Sequence, residues 1–108
     1  MQGPQISTHV LDTENGRPAQ GITVELFRLD GLGGGEETIV GGGKTDEDGR
    51  IRSLLFDALE QATYRLAFQL EGPFWRQASV TFVVDDTSRS YHVPLLLAPY
   101  SLASYRGS

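Results

Sequence analysis

Two histidines, one arginine and a four-residue tail are the parts of this sequence best suited to chemistry. The chain of 108 residues contains only two histidines, His9 and His92. An imidazole with an ordinary pKa of about 6.5 is suited to moving protons near neutrality. Arg50 follows an acidic turn, Lys44-Thr-Asp-Glu-Asp-Gly49, and its planar fork suits an imide or carboxylate edge. The chain closes on Tyr105-Arg106-Gly107-Ser108, directly after an apolar stretch that must be buried. Most termini are frayed and unspecific. A hydroxyl aromatic, a guanidinium, a glycine and a serine in that place point to a terminus that itself sits in a site.

Each of these residues also has a plainer reading. A lone histidine is more often structural than catalytic. Arg50 alone reads as a solvated arginine paired with Asp46 or Asp48, and Tyr105 alone as a sheet aromatic. Pairing changes the weighing. On a strand, residues two apart share a face, so His9 shares its face with Ser7, and His92 with Ser90. Neither histidine sits on a uniformly apolar face.

The elements that must position these residues are strands. Residues 6–12 are rich in β-branched types, with Ile6, Thr8 and Val10 opposite Ser7, His9 and Leu11. Glu14-Asn-Gly-Arg-Pro18 is a turn. Residues 22–29 form a second strand with Ile22, Val24 and Leu26 inward. Residues 31–43, with two glycine triplets around Glu36-Glu-Thr-Ile-Val40, read as a short edge strand between two loose loops. Arg50 and Ile51 start another short strand. Residues 54–61 place Leu54, Leu55, Ala58 and Leu59 on one face of two helical turns, the sole helical candidate. Residues 63–70 alternate with Tyr64, Leu66, Phe68 and Leu70 on one face. Gly72-Pro73 ends that strand, 78–84 form the next, and 91–97 the last core strand, which turns at Pro99 into the polar tail. Short strands at regular spacing with turn signals between them predict an all-β antiparallel sandwich, one domain over residues 1–108, with at most one short helix.

Composition excludes other classes. Net charge is −5, against binding to a nucleic-acid backbone. No run approaches the roughly 20 apolar residues of a membrane helix. The absence of cysteine removes thiolate catalysis and thiolate metal sites. Gly41-Gly-Gly-Lys-Thr45 lacks the earlier glycine and the following helix of a phosphate loop. Asp46-Glu-Asp-Gly49 lacks the ligand register of a calcium loop. No metal and no cofactor are expected. The first five residues carry neither a basic patch nor an apolar segment, so a cytoplasmic protein is the expectation.

Three separated stretches together resemble one family. They are Ser7-Thr-His-Val-Leu-Asp12 followed by Gly16-Arg-Pro-Ala19; Thr45-Asp-Glu-Asp-Gly-Arg50; and Tyr91-His-Val-Pro-Leu-Leu-Leu-Ala-Pro-Tyr100 ending in Tyr105-Arg-Gly-Ser108. Their order and spacing resemble the transthyretin-related family in its enzyme branch, which hydrolyses 5-hydroxyisourate in urate catabolism. The terminal tetrapeptide is the most specific piece, because the hormone-carrier branch lacks it. The resemblance implies a transthyretin-like sandwich of two four-stranded sheets, assembled as a homotetramer with active sites in a channel between dimers. It implies a small-molecule substrate, 5-hydroxyisourate, and no metal, nucleic acid or membrane. A urate-oxidising enzyme would act before it and a decarboxylase after it. By position, the resemblance makes His9, Arg50, His92 and Ser108 catalytic, and His9, Arg50, Tyr105 and Arg106 substrate-binding.

Two features depart from the family pattern. Ser90 stands where many relatives carry a further histidine, and residues 71–77 form a short link where relatives carry a longer segment with a short helix.

Cyclic amide hydrolysis has three requirements that these residues meet. A neutral imidazole takes the proton of the attacking water, a contribution of about 10²–10⁴-fold. A fixed cation such as Arg50 holds the oxyanion. The leaving nitrogen must then be protonated. His9 and His92 share the roles of base and orienter or acid, with either assignment open. Tyr105 orients the ring, and Ser108 acts through its hydroxyl, its backbone or the terminal carboxylate. The alternatives are a transthyretin-like carrier without turnover and a β-sandwich interaction module.

Overall fold

The computed structural model describes residues 3–30 and 35–107. The first glycine-rich loop and Ser108, with the role expected of it, lie outside the described residues. Ten strand segments form among the described residues: β1 (Ile6–Asp12), β2 (Arg17–Pro18), β3 (Thr23–Leu29), β4 (Glu37–Lys44), β5 (Arg50–Ile51), β6 (Ala62–Gln69), β7 (Gln77–Val84), β8 (Tyr91–His92), β9 (Leu95–Ala98) and β10 (Ser101–Ser104). They make the sandwich that the alternating pattern predicts.

One sheet is antiparallel throughout, in the order β4-β3-β6-β7. Its inner face carries Val24 and Leu26 from β3 and Tyr64, Leu66 and Phe68 from β6, all buried. The other sheet runs β10-β9-β1-β2, with β5 and β8 also paired to β1. Its segments fill four positions, because β8 and β9 follow one edge of β1 while β5 and β2 follow the other. The pairings of β1 with β8 and β9 are parallel. Ile6, Val10, Val93 and Leu95 close the core from this side.

Three local expectations change. Residues 54–61 are not helical. The Leu54 N–H donates to the Ile6 carbonyl, the Phe56 N–H to the Val40 carbonyl, and the Leu54 carbonyl accepts from Gly42. Backbone groups engaged across the sandwich cannot also form the i→i−4 ladder. Leu54, Leu55 and Leu59 are still buried, as the apolar pattern requires. The second glycine triplet, read as loop, is part of β4. A side chain at Gly41 would place its Cβ against the Leu54 carbonyl oxygen, so glycine serves close backbone approach there.

The last strand is interrupted at Val93-Pro94, where proline has no N–H for the ladder. Buried Thr8 bridges the break, donating its hydroxyl to the Val93 carbonyl at 2.6 Å. Beyond Pro99 a further strand, β10, pairs back on β9 before the tail begins.

Candidate active site

The site is built on the outward face of β1. The turn at 46–49 folds on itself first. The Asp46 carboxylate accepts from the backbone N–H groups of Asp48 and Arg50, each at 2.9 Å, and these bonds hold its pKa below the ordinary carboxylate value. Gly49 completes the turn at φ +75°, a conformation that glycine adopts without steric cost. The Val10 N–H donates to the Gly49 carbonyl at 2.7 Å, fastening the turn to β1. Strand β5 then pairs antiparallel with β1, placing His9 opposite Arg50.

His92 arrives from the other edge of β1. Parallel pairing sets Ser7 opposite His92, and Ser7 Oγ lies 2.9 Å from His92 Nδ1. The tail reaches the same ring. The Gly107 N–H donates to the His92 carbonyl at 2.7 Å, and a Cβ on Gly107 would meet His92 Cδ2 at 2.5 Å. His9 is held by its Nε2–H, which donates to the Asp48 carbonyl at 2.9 Å, leaving Nδ1 as its unprotonated nitrogen when the ring is neutral.

A recess of about 220 Å³ opens beside these groups, lined by Ser7, Thr8, Arg50, Ile51, Arg52 and His92. His92 is half-buried there. Its pKa is lowered by burial first, then by the Arg50 charge and by His9. These effects all favour the neutral ring, the form able to accept a proton. Among the described residues Arg50 makes no ion pair, so the solvated pairing with Asp46 or Asp48 is not what holds it. Asp46 instead grips its backbone. No group of three His, Asp or Glu side chains gathers into a metal-binding arrangement among the described residues.

The fold thus brings His9, Arg50 and His92 together from positions far apart in sequence. It treats the tail differently. Gly107 touches His92, but Tyr105 and Arg106 line a separate apolar recess with Val80, Phe82 and Tyr91. The Arg106 guanidinium stacks 4.8 Å from the centre of the Tyr91 ring. Ser90 does not face the site. Its hydroxyl accepts from the Gln5 N–H at 2.9 Å and ties the start of β8 to the residue before β1. Four lining residues, Ser7, Thr8, Ile51 and Arg52, were not singled out as site residues. Ser7 was visible as the residue sharing the His9 face, and Arg52 as the residue two beyond Arg50, just past β5.

Comparison with known proteins places this geometry in context. The HIUase/Transthyretin family matches residues 6–107, nearly the whole described chain. The chain belongs to this family. It is 39% identical over 118 residues to a 5-hydroxyisourate hydrolase of Deinococcus radiodurans, covering 97% of both chains. It is 42% identical over 121 residues to the Arabidopsis thaliana uric acid degradation bifunctional protein TTL. That match takes in 97% of this chain but spans only 37% of the longer plant protein.

Solved structures of the family show the same sandwich. The 5-hydroxyisourate hydrolase of Klebsiella pneumoniae superposes with a TM-score of 0.79 at 31% identity, covering 95% of this chain and 98% of that one. Sea bream transthyretin in complex with thyroxine superposes at 0.84 with 25% identity, covering 94% and 93%. A 5-hydroxyisourate hydrolase and a thyroxine-bound transthyretin therefore share this fold, so the fold alone does not decide the activity.

Proposed function

We propose that this protein hydrolyses the cyclic amide of 5-hydroxyisourate, without metal or cofactor. The observation that carries the reading is that His92 and an Arg50 free of ion pairs among the described residues line one recess, with His9 paired opposite Arg50 beside it. The near full-length relationship to a named 5-hydroxyisourate hydrolase supports it.

Water attacks the amide carbon as an imidazole accepts one of its protons. Negative charge develops on the carbonyl oxygen and is held by Arg50; loss of such a donor typically costs about 3–4 kcal/mol. The ring C–N bond then breaks, and the leaving nitrogen takes the proton back from the imidazolium. The new carboxylic acid ionises to the ring-opened carboxylate. Catalytic roles fall to His9, Arg50 and His92, with Ser108 beyond the described residues. Tyr105 and Arg106 are the proposed tail contacts to substrate. They would act from the recess they line with Tyr91, or from a neighbouring subunit.

A homotetramer is part of this reading. Register places Leu11, Leu96 and Ala103 side by side on the outer face that carries the histidines. Apolar side chains beside a polar site suit coverage by a second copy. A cytoplasmic setting remains part of the proposal.

The deciding measurement is the decay of freshly generated 5-hydroxyisourate, followed by ultraviolet absorbance, for wild type beside His92→Asn. Rapid decay that the variant loses supports the hydrolase. Decay no faster than the spontaneous background overturns it in favour of a carrier.

A further inference from the structure

The geometry points to Ser7 as the positioning residue that selects which nitrogen of His92 acts as the base. The inference rests on the hydrolase reading above. Three observations carry it. Ser7 Oγ sits 2.9 Å from Nδ1 of His92, fixed there by the parallel register of β1 with β8. Gly107 covers the Cδ2 side of the same ring so closely that a side chain there would collide with it. The ring is thus held on both flanks, no hydrogen bond engages its Nε2 among the described residues, and Arg50 lines the same recess.

Only one arrangement of protons makes this clamp productive. With Nδ1–H donating to Ser7 Oγ, the neutral ring presents an unprotonated Nε2 as the base. When Nε2 accepts the water proton, the bond to Ser7 becomes charge-assisted and strengthens. Ser7 therefore favours the imidazolium that forms during attack, as well as the correct neutral tautomer. With the opposite tautomer, Ser7 would donate to Nδ1 and Nε2 would carry a hydrogen, leaving no basic nitrogen at the open end. His9 is held differently, through Nε2–H on the Asp48 carbonyl, so the two rings present different nitrogens.

The test is nitrogen-15 NMR of the histidine rings in the full-length protein, at a pH where both are neutral. With only two histidines the spectrum holds two rings, and His9→Asn assigns the one that remains. His92 is expected as the Nδ1–H tautomer in wild type and in Ser7→Thr, and to shift toward Nε2–H in Ser7→Ala. In parallel, Ser7→Ala is expected to lower kcat by about 10- to 100-fold, as for loss of a hydrogen bond to a charged group. KM should change little, and Ser7→Thr should restore the rate. A wild-type His92 carrying its hydrogen on Nε2, or a tautomer indifferent to Ser7→Ala, overturns the inference. Absence of hydrolysis in wild type, with the tautomer still following residue 7, would overturn the hydrolase reading while supporting the role of Ser7 in tautomer selection.

Discussion

His9 and Arg50 face each other across the antiparallel pair of β1 and β5, so one turn determines the placement of both. The turn supplies the Asp48 carbonyl that fixes the His9 ring and the Asp46 carboxylate that grips the Arg50 N–H. A stretch that reads in sequence as a solvated acidic loop is the mount of two site residues.

Asp46→Ala should therefore impair activity more than global stability. It removes two backbone hydrogen bonds at an exposed position and frees Arg50 and Asp48 to move together. Displacement of reacting groups by about 1 Å can cost on the order of 100-fold in rate. Turnover measured beside a thermal melt checks this, and Asp46→Asn should recover part of the activity by keeping one acceptor oxygen.

Gly49→Ala should act on stability directly. The residue would be forced into left-handed backbone, costing roughly 1–2 kcal/mol. Its Cβ would also fall 2.5 Å from the Val10 carbonyl oxygen and 2.9 Å from Pro18 Cβ. Each kcal/mol lowers the melting temperature by about 4–8 °C in a domain near this size. Calorimetry should find a drop of at least that order.

The titration of His92 should fall below the ordinary histidine value of 6.5. Because the folded pKa is depressed, the unfolded chain binds the proton more readily. The associated stability is present above pH 6.5 and is lost as pH falls through the folded value. The acid limb of the pH–rate profile should accordingly lie below pH 6.5. Proton NMR of the ring should show the same midpoint, and Arg50→Gln should move it upward by removing the neighbouring positive charge.

Thr8→Val should separate the hydroxyl from the shape. The side chain is buried, and its hydroxyl satisfies the Val93 carbonyl beside Pro94. Leaving that acceptor unpaired should cost about 1–3 kcal/mol, measurable by denaturant unfolding. The melting temperature should fall, while the tautomer of His92 should stay that of wild type.

Leu96→Glu should disrupt assembly if the outer face of β9 is covered by another subunit. Light scattering should then report smaller species and activity should fall with the mass. A variant that keeps the wild-type mass would place the interface elsewhere.

The sequence by itself determined the main strands and which of their faces are buried. Alternation at Ile6, Thr8 and Val10 and at Tyr64, Leu66 and Phe68 leaves one register that buries them, because a shift of one residue would turn every side chain outward. It also supplied the chemistry, since only His9 and His92 are histidines, and the motifs around Arg50 are local. Residues 54–61 escaped that reading because their apolar spacing fits a helix and a buried crossing equally well. Long-range hydrogen bonds to Ile6 and Val40 decided between them. The site's inner geometry was likewise tertiary. Ser7 meets His92 only because β1 and β8 pair in parallel across 85 positions, and Tyr105 and Arg106 line the recess beside Tyr91 while Gly107 lies against the His92 ring. Periodicity records which side of a strand is buried. Which strand stands beside it, and which atom of one ring faces which hydroxyl, is settled only when the chain packs.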